Sequence, residues 1–243
     1  MQWQFEVQDP RYRARNSVTD EFFADEAGLN DVDSLVRESI QNSLDASISG
    51  QNSPVRVVFS LGETTADKGQ KWFGSLKPHL EAALGTSSAA LVASPCRYLT
   101  VEDFQTTGLV GDPHMPIHET HQNSIPKDQL SYYYFVHAEG ESSKDGRRGT
   151  WGVGKIVFHK LSRAKTFMFL SDRMATSGVD TVAMGQTILK MHTIGETRFV
   201  PDGWLSEVGA SGLHVPLTPD ISAEMRSNFA FTPRQREVRP HLC

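Results

Sequence analysis

The segment most restrictive for this chain is residues 31–49, where Val32, Val36, Ile40, Leu44 and Ile48 recur every four residues. That spacing predicts an amphipathic helix, with Asp31 or Asp33 at its start and Gly50 as its stop. At 100° per residue, Glu38, Asn42 and Asp45 fall within an arc of about 60°, roughly opposite Val36, Ile40 and Leu44. The helix is therefore expected to pack by its apolar stripe and to present two carboxylates and a carboxamide from the other side.

Around this helix the chain reads as one domain spanning residues 1–243, with a long internal insertion. Apolar residues make up 38% of the 243, and the 19 glycines bring the total into the globular range. The net charge of −5 argues against a chain devoted to gripping a phosphate backbone. No apolar run reaches the roughly 18 residues of a membrane span, and residues 1–15 lack the pattern of a signal peptide. The two cysteines, Cys96 and Cys243, cannot build a disulfide framework, which fits a reducing cytoplasm.

Residues 55–61 and 97–101 are β-branched and aromatic runs, read as strands, with a helix expected over 71–90 between them. Periodicity fades over 111–148, although Tyr132, Tyr133, Tyr134 and Phe135 mark one ordered piece inside that stretch. A Gly-rich turn then leads into a helix over 154–161, a strand over 166–170 and an apolar stretch over 182–194. Several strands without regular βαβ alternation predict an α/β (α+β) two-layer sandwich, a mixed and largely antiparallel sheet covered by helices.

Two further places invite chemistry. Asp103 stands at a strand end, followed by Thr107 and Gly108, where an acid can accept from an amino group and a glycine admits close backbone approach. Gly149, Gly152 and Gly154, with Trp151 and Val153 between them and Lys155 after, form G-x-x-G-x-G-K at the opening of a helix, suited to phosphate oxygens. Gly149, Gly154 and Lys155 also satisfy most of a P-loop, but Ile156 supplies no hydroxyl where Mg²⁺ requires one. Taken singly, each feature is also what a solvated helix face, an acidic turn or a tight turn carries. His114, His118 and His121 have a spacing compatible with zinc, yet no carboxylate or cysteine partner accompanies them, so a polar loop is the preferred reading.

The three features in this order resemble the GHKL superfamily, which groups gyrase, the heat-shock-90 chaperones, histidine kinases and MutL. The likeness covers about residues 31–161. It implies a Bergerat-type ATP-binding fold with an ATP lid over about 111–148. It further implies a Mg²⁺-dependent ATPase of slow turnover, with Asn42 holding Mg²⁺ on the phosphates and Glu38 as general base. Asp103 would accept from the adenine amino group, with Thr107 and Gly108 beside it and Asp45 supporting the pocket. Gly149, Trp151, Gly152, Val153, Gly154 and Lys155 would contact phosphates, with Lys144 and Arg148 reaching in from the lid. A nucleotide-dependent homodimer and a role in bacterial DNA transactions or phage defence follow as expectations of the same resemblance.

Two departures stand out: Gln105 replaces the first glycine of the family's D-x-G-x-G, and Gly108 comes one residue late. The later strand beside adenine has its candidate at 209–213, between Gly209 and Leu213. The ending Arg-Pro-His-Leu-Cys suggests the N-terminal part of a longer protein, whose remainder would supply protein or nucleic-acid contacts. A histidine kinase would need a phospho-acceptor helix pair, which residues before 31 do not provide. A nucleotide-sensing or interaction module without hydrolysis, and a P-loop-like or structural domain, are the competing expectations.

Overall fold

The computed structural model describes residues 1–13, 31–48, 54–92, 95–115, 125–126, 129–138, 155–175, 178–209 and 212–232. Its strands are β1 (Gln4–Val7), β2 (Arg56–Glu63), β3 (Arg97–Phe104), β4 (Thr166–Ala175), β5 (Gly178–Ile188), β6 (His192–Ile194), β7 (Thr197–Leu205), β8 (Glu207–Val208) and β9 (His214–Val215). Its α-helices are α1 (Asp31–Asp45), α2 (Ala66–Phe73), α3 (Lys77–Leu84), α4 (Ser131–Val136), α5 (Ile156–Leu161) and α6 (Pro219–Asn228). No described helix is long and apolar enough to cross a membrane.

The main sheet runs β1-β7-β5-β4, with β6 also paired to β7, and every pairing is antiparallel. β2 and β3 form a separate antiparallel pair in which Val57 opposes Asp103 and Leu61 opposes Leu99. The expectation of an α+β protein with an antiparallel sheet is met at this level.

Helices cover both faces of the main sheet, where two layers were expected. Ala183 and Leu205 enter a core with Trp3 just before β1, Trp72 of α2, Leu76 at the start of α3, Leu80 of α3 and Met225 of α6. Their neighbours Val182, Met184 and Trp204 turn the other way and meet Tyr132, Val136 and Phe169, so α4 packs on the second face. Because side chains alternate along a strand, an uninterrupted apolar run such as Val182-Ala183-Met184 needs cover on both sides. α5 joins α4 there, with His159 and Phe158 against Phe167 at ring-centroid distances of 4.7 and 5.5 Å.

The helix expected over 71–90 is broken. α2 stops at Phe73, α3 begins with Pro78 in its first turn, and Gly85 at φ +100° ends it before a 3₁₀ helix over Thr86–Val92. Proline lacks the N–H that a continuous helix would need at that point. In contrast, the aromatic run expected to be ordered is α4, with Tyr132 and Val136 almost fully buried.

Candidate functional site

α1 carries Glu38, Asn42 and Asp45, but it packs by a different face from the one its periodicity predicts. The buried residues are Ser34, Leu35, Ser39 and Ser43, whereas Val32, Val36, Ile40 and Leu44 are 57%, 37%, 39% and 53% exposed. Small serines allow a close approach by neighbouring elements, and α5 is packed against α1. Ser43 Oγ donates to the Ser39 carbonyl at 2.8 Å, which satisfies one hydroxyl within the helix. Lys160 at the end of α5 pairs with Asp31 at the start of α1, Nζ to Oδ1 3.1 Å.

This reorientation brings Glu38 toward the body of the protein, while Asn42 and Asp45 stay at the surface. Glu38 and Asn42 lie on the same arc as Ser34, Leu35 and Ser39 at 100° per residue. Glu38 is half-buried and accepts from Arg37 Nε and Nη2 at 3.2 and 3.0 Å. Asn42 and Asp45 are exposed one and two turns on, and Gln41 Nε2 donates to Asp45 Oδ1 at 3.0 Å.

The helix ends at Asp45, short of the expected residue 49, because the chain leaves it to pair with the loop after β3. Ser47 and Thr106 form an antiparallel bridge. Ile48 N donates to the Gln105 carbonyl at 3.3 Å, and Thr107 N donates to the Ala46 carbonyl at 2.8 Å. Two of the three sequence features, the helix of Glu38, Asn42 and Asp45 and the loop of Asp103, Thr107 and Gly108, are thereby joined backbone to backbone.

The loop itself has unusual backbone. Gln105 adopts φ +66°, the left-handed region that favours glycine. Gly108 follows at φ +70°. Asp103 is half-buried on one side of β3, while its neighbour Glu102 on the other accepts from Thr232 N at 2.7 Å and Thr232 Oγ1 at 3.2 Å.

Three consecutive residues of β4 hold this loop, and sequence reasoning missed them. Ser171 Oγ accepts from Leu109 N at 2.9 Å, and the Asp172 backbone lies against Gly108. Arg173, 7% exposed, donates from Nη1 to the carbonyls of Leu109, at 3.2 Å, and Gly111. Asp172 in turn accepts from Thr181 Oγ1 at 2.7 Å and from Arg226 Nη2 of α6 at 2.5 Å. The available signal was an adjacent Asp-Arg pair inside an otherwise apolar strand, since charged groups are buried there only when partnered.

Lys155 is described and buried, and its Nζ donates to the carbonyls of Phe135 at 2.9 Å and Ala138 at 2.7 Å. The ammonium thus sits at the C-terminal end of α4, a favourable place for a cation. A phosphate contact through Lys155 would compete with these two bonds. Lys144, Arg148, Gly149, Trp151, Gly152, Val153 and Gly154 lie outside the described residues, as do His118, His121 and Cys243. His114 donates its backbone N–H to Asp112 Oδ1 at 2.9 Å. Among the described residues no three His, Cys, Asp or Glu side chains come together to hold a metal. Gly209 and Leu213 belong to the turn of the β8–β9 hairpin, Gly209 N donating to the Leu213 carbonyl at 2.8 Å.

Beside the loop, Gly111, Asp112, Tyr132 and His137 line a recess of about 10 Å³, room for one water. Burial, reinforced by the Lys155 and His214 charges, pushes His137 down to about 4. No family model matches this chain. Neither a curated protein nor a solved structure gives a significant match, so the functional reading rests on the geometry above.

Proposed function

We propose that this chain is a Mg²⁺-dependent ATP-binding and ATP-hydrolysing switch domain of the GHKL type, with a Bergerat-type site between α1 and the loop after β3. The observation that carries this reading is the backbone junction of residues 46–48 with residues 105–107. It sets a helix bearing Glu, Asn and Asp beside a strand-end Asp followed by two left-handed residues, Gln105 and Gly108.

In this reading Asp103 accepts from the adenine amino group, and Thr107 and Gly108 border the base. Asp45 supports the pocket. The exposed Asn42 carboxamide offers a hard oxygen that suits Mg²⁺, with the Glu38 carboxylate one turn before it. Bound there, Mg²⁺ would supply charge neutralisation at the phosphates. Glu38 serves as general base by orienting and deprotonating the attacking water. Gly149, Trp151, Gly152, Val153 and Gly154 attend the phosphates, joined by Lys144 and Arg148 from the lid expected over about 111–148, of which α4 is packed in the core; Lys155 would reach the phosphates only by giving up the Phe135 and Ala138 carbonyls.

The domain would act in the cytoplasm and form a homodimer when nucleotide is bound. Gel filtration with a non-hydrolysable ATP analogue should show a dimer, and one unchanged species would count against it. A bacterial DNA-transaction or phage-defence system, with a protein or nucleic-acid partner, is the setting proposed.

A nucleotide-sensing module without hydrolysis is the second reading, favoured by the Arg37 guanidinium held on the Glu38 carboxylate. Phosphate release by wild type and Glu38→Ala decides between them. Turnover lost in the variant at intact ATP binding supports the switch, and binding without turnover in wild type supports the sensor.

A further inference from the structure

We infer that Arg173 is a positioning residue that sets the base selectivity of the candidate nucleotide site. The inference rests on the nucleotide reading above and concerns the same loop.

Arg173 lies in β4 opposite Asp180 of β5. Its Nε and Nη2 donate to Asp180 Oδ2 at 3.0 and 2.7 Å, which fixes the plane of the guanidinium. The remaining terminal nitrogen, Nη1, is then aimed at the loop after β3 and takes two carbonyls, those of Leu109 and Gly111. A side chain only 7% exposed thus spends one edge on orientation and the other on backbone oxygens two residues apart. The Tyr132 ring of α4 stands 5.9 Å from the guanidinium carbon and closes the remaining side.

These contacts act on the segment that continues directly from Asp103, Thr107 and Gly108. Leu109 is held through both of its backbone polar groups, N–H by Ser171 and carbonyl by Arg173. Gly108, between Thr107 and Leu109, lies beside the β4 backbone with no room for a β-carbon. The placement of Thr107 and Gly108, which border the base in the proposed reading, therefore depends on the anchoring of Leu109 and Gly111 by Arg173. Lysine cannot replace it, because a single ammonium lacks the planar fork that serves Asp180 and two carbonyls together.

The test uses the full chain as wild type, Arg173→Met and Arg173→Lys, measuring ATP and GTP affinity by calorimetry, hydrogen exchange and thermal unfolding. Asp103 can accept from the amino group of adenine, whereas guanine presents a carbonyl there. Arg173→Met should weaken ATP about tenfold and leave GTP within about twofold, with faster exchange confined to residues 107–111. Arg173→Lys, the gentler change if the methionine variant does not fold, should fall between the two.

Equal loss of ATP and GTP would mean general destabilisation and would overturn the inference, as would unchanged ATP affinity. If wild type binds neither nucleotide, the nucleotide reading fails and base selectivity by Arg173 falls with it. Exchange confined to 107–111 would then show only that Arg173 orders the loop.

Discussion

The α-carbon of Gly108 lies so close to β4 that a β-carbon there would stand 2.5 Å from the Asp172 carbonyl oxygen. The contact is with backbone, so no side-chain rotation relieves it, and φ +70° adds a conformational cost for any other residue. Gly108→Ala should destabilise the domain by about 2–4 kcal/mol, or detach the loop from β4. Thermal unfolding combined with hydrogen exchange at residues 107–111 distinguishes the two, and an unchanged variant would refute the close approach.

Gln105 presents the opposite case. Its φ of +66° is strained for a side chain bearing a β-carbon, while its carbonyl is used by Ile48. Gln105→Gly should keep that hydrogen bond and remove the strain, which raises stability by about 0.5–1 kcal/mol. The expected rise in Tm is roughly 1–4 °C for a domain of this size. A fall in Tm would mean that the glutamine side chain contributes more than its backbone costs.

The two faces of α1 should respond unequally to truncation. Leu35 is 3% exposed and Leu35→Ala should cost about 2–4 kcal/mol, whereas Ile40→Ala, at 39% exposure, should stay within about 0.5 kcal/mol. Urea unfolding of both variants measures this directly. The reverse order would restore the packing face that the four-residue periodicity predicts.

That periodicity shows where sequence reasoning lost its hold. β2, β3 and β4 were legible because β-branched and aromatic residues cluster between turn residues, and α4 was legible from its tyrosines. On α1 the strongest apolar pattern lies outward and a serine-rich face lies inward, which hydropathy cannot reveal because small polar residues bury without an apolar signal. Asp103 and Gly108 were found as a strand-end acid and glycine. The attachment of their loop to Ala46 and Ser171, through Thr107 and Leu109, depends on pairings remote in sequence, and the role of Arg173 emerges only once β4 and that loop meet.

Acid should weaken the fold through its buried histidines. Burial pushes His79, His137 and His159 down from 6.5 to about 4, aided by the His192 charge at His79 and the Lys155 charge at His137. Each folded-state pKa is depressed, so the unfolded chain binds more protons between pH 6.5 and 4. Stability is then full above about pH 6.5 and declines as pH falls through that window. His159, only 2% exposed, should alone account for about 2 kcal/mol between pH 7 and 5. Urea midpoints across this range should decline toward acid, and His159→Leu should flatten the slope.

The proposal of one Mg²⁺-dependent ATP site between α1 and the loop after β3 stands on their backbone junction. Calorimetric titration of wild type, Asp103→Asn and Asn42→Ala with ATP, with and without Mg²⁺, tests it most directly. Wild type should bind ATP, Asp103→Asn should abolish binding, and Asn42→Ala should weaken it or make it insensitive to Mg²⁺. Wild type that binds no ATP, or binding untouched by Asp103→Asn, would contradict the account.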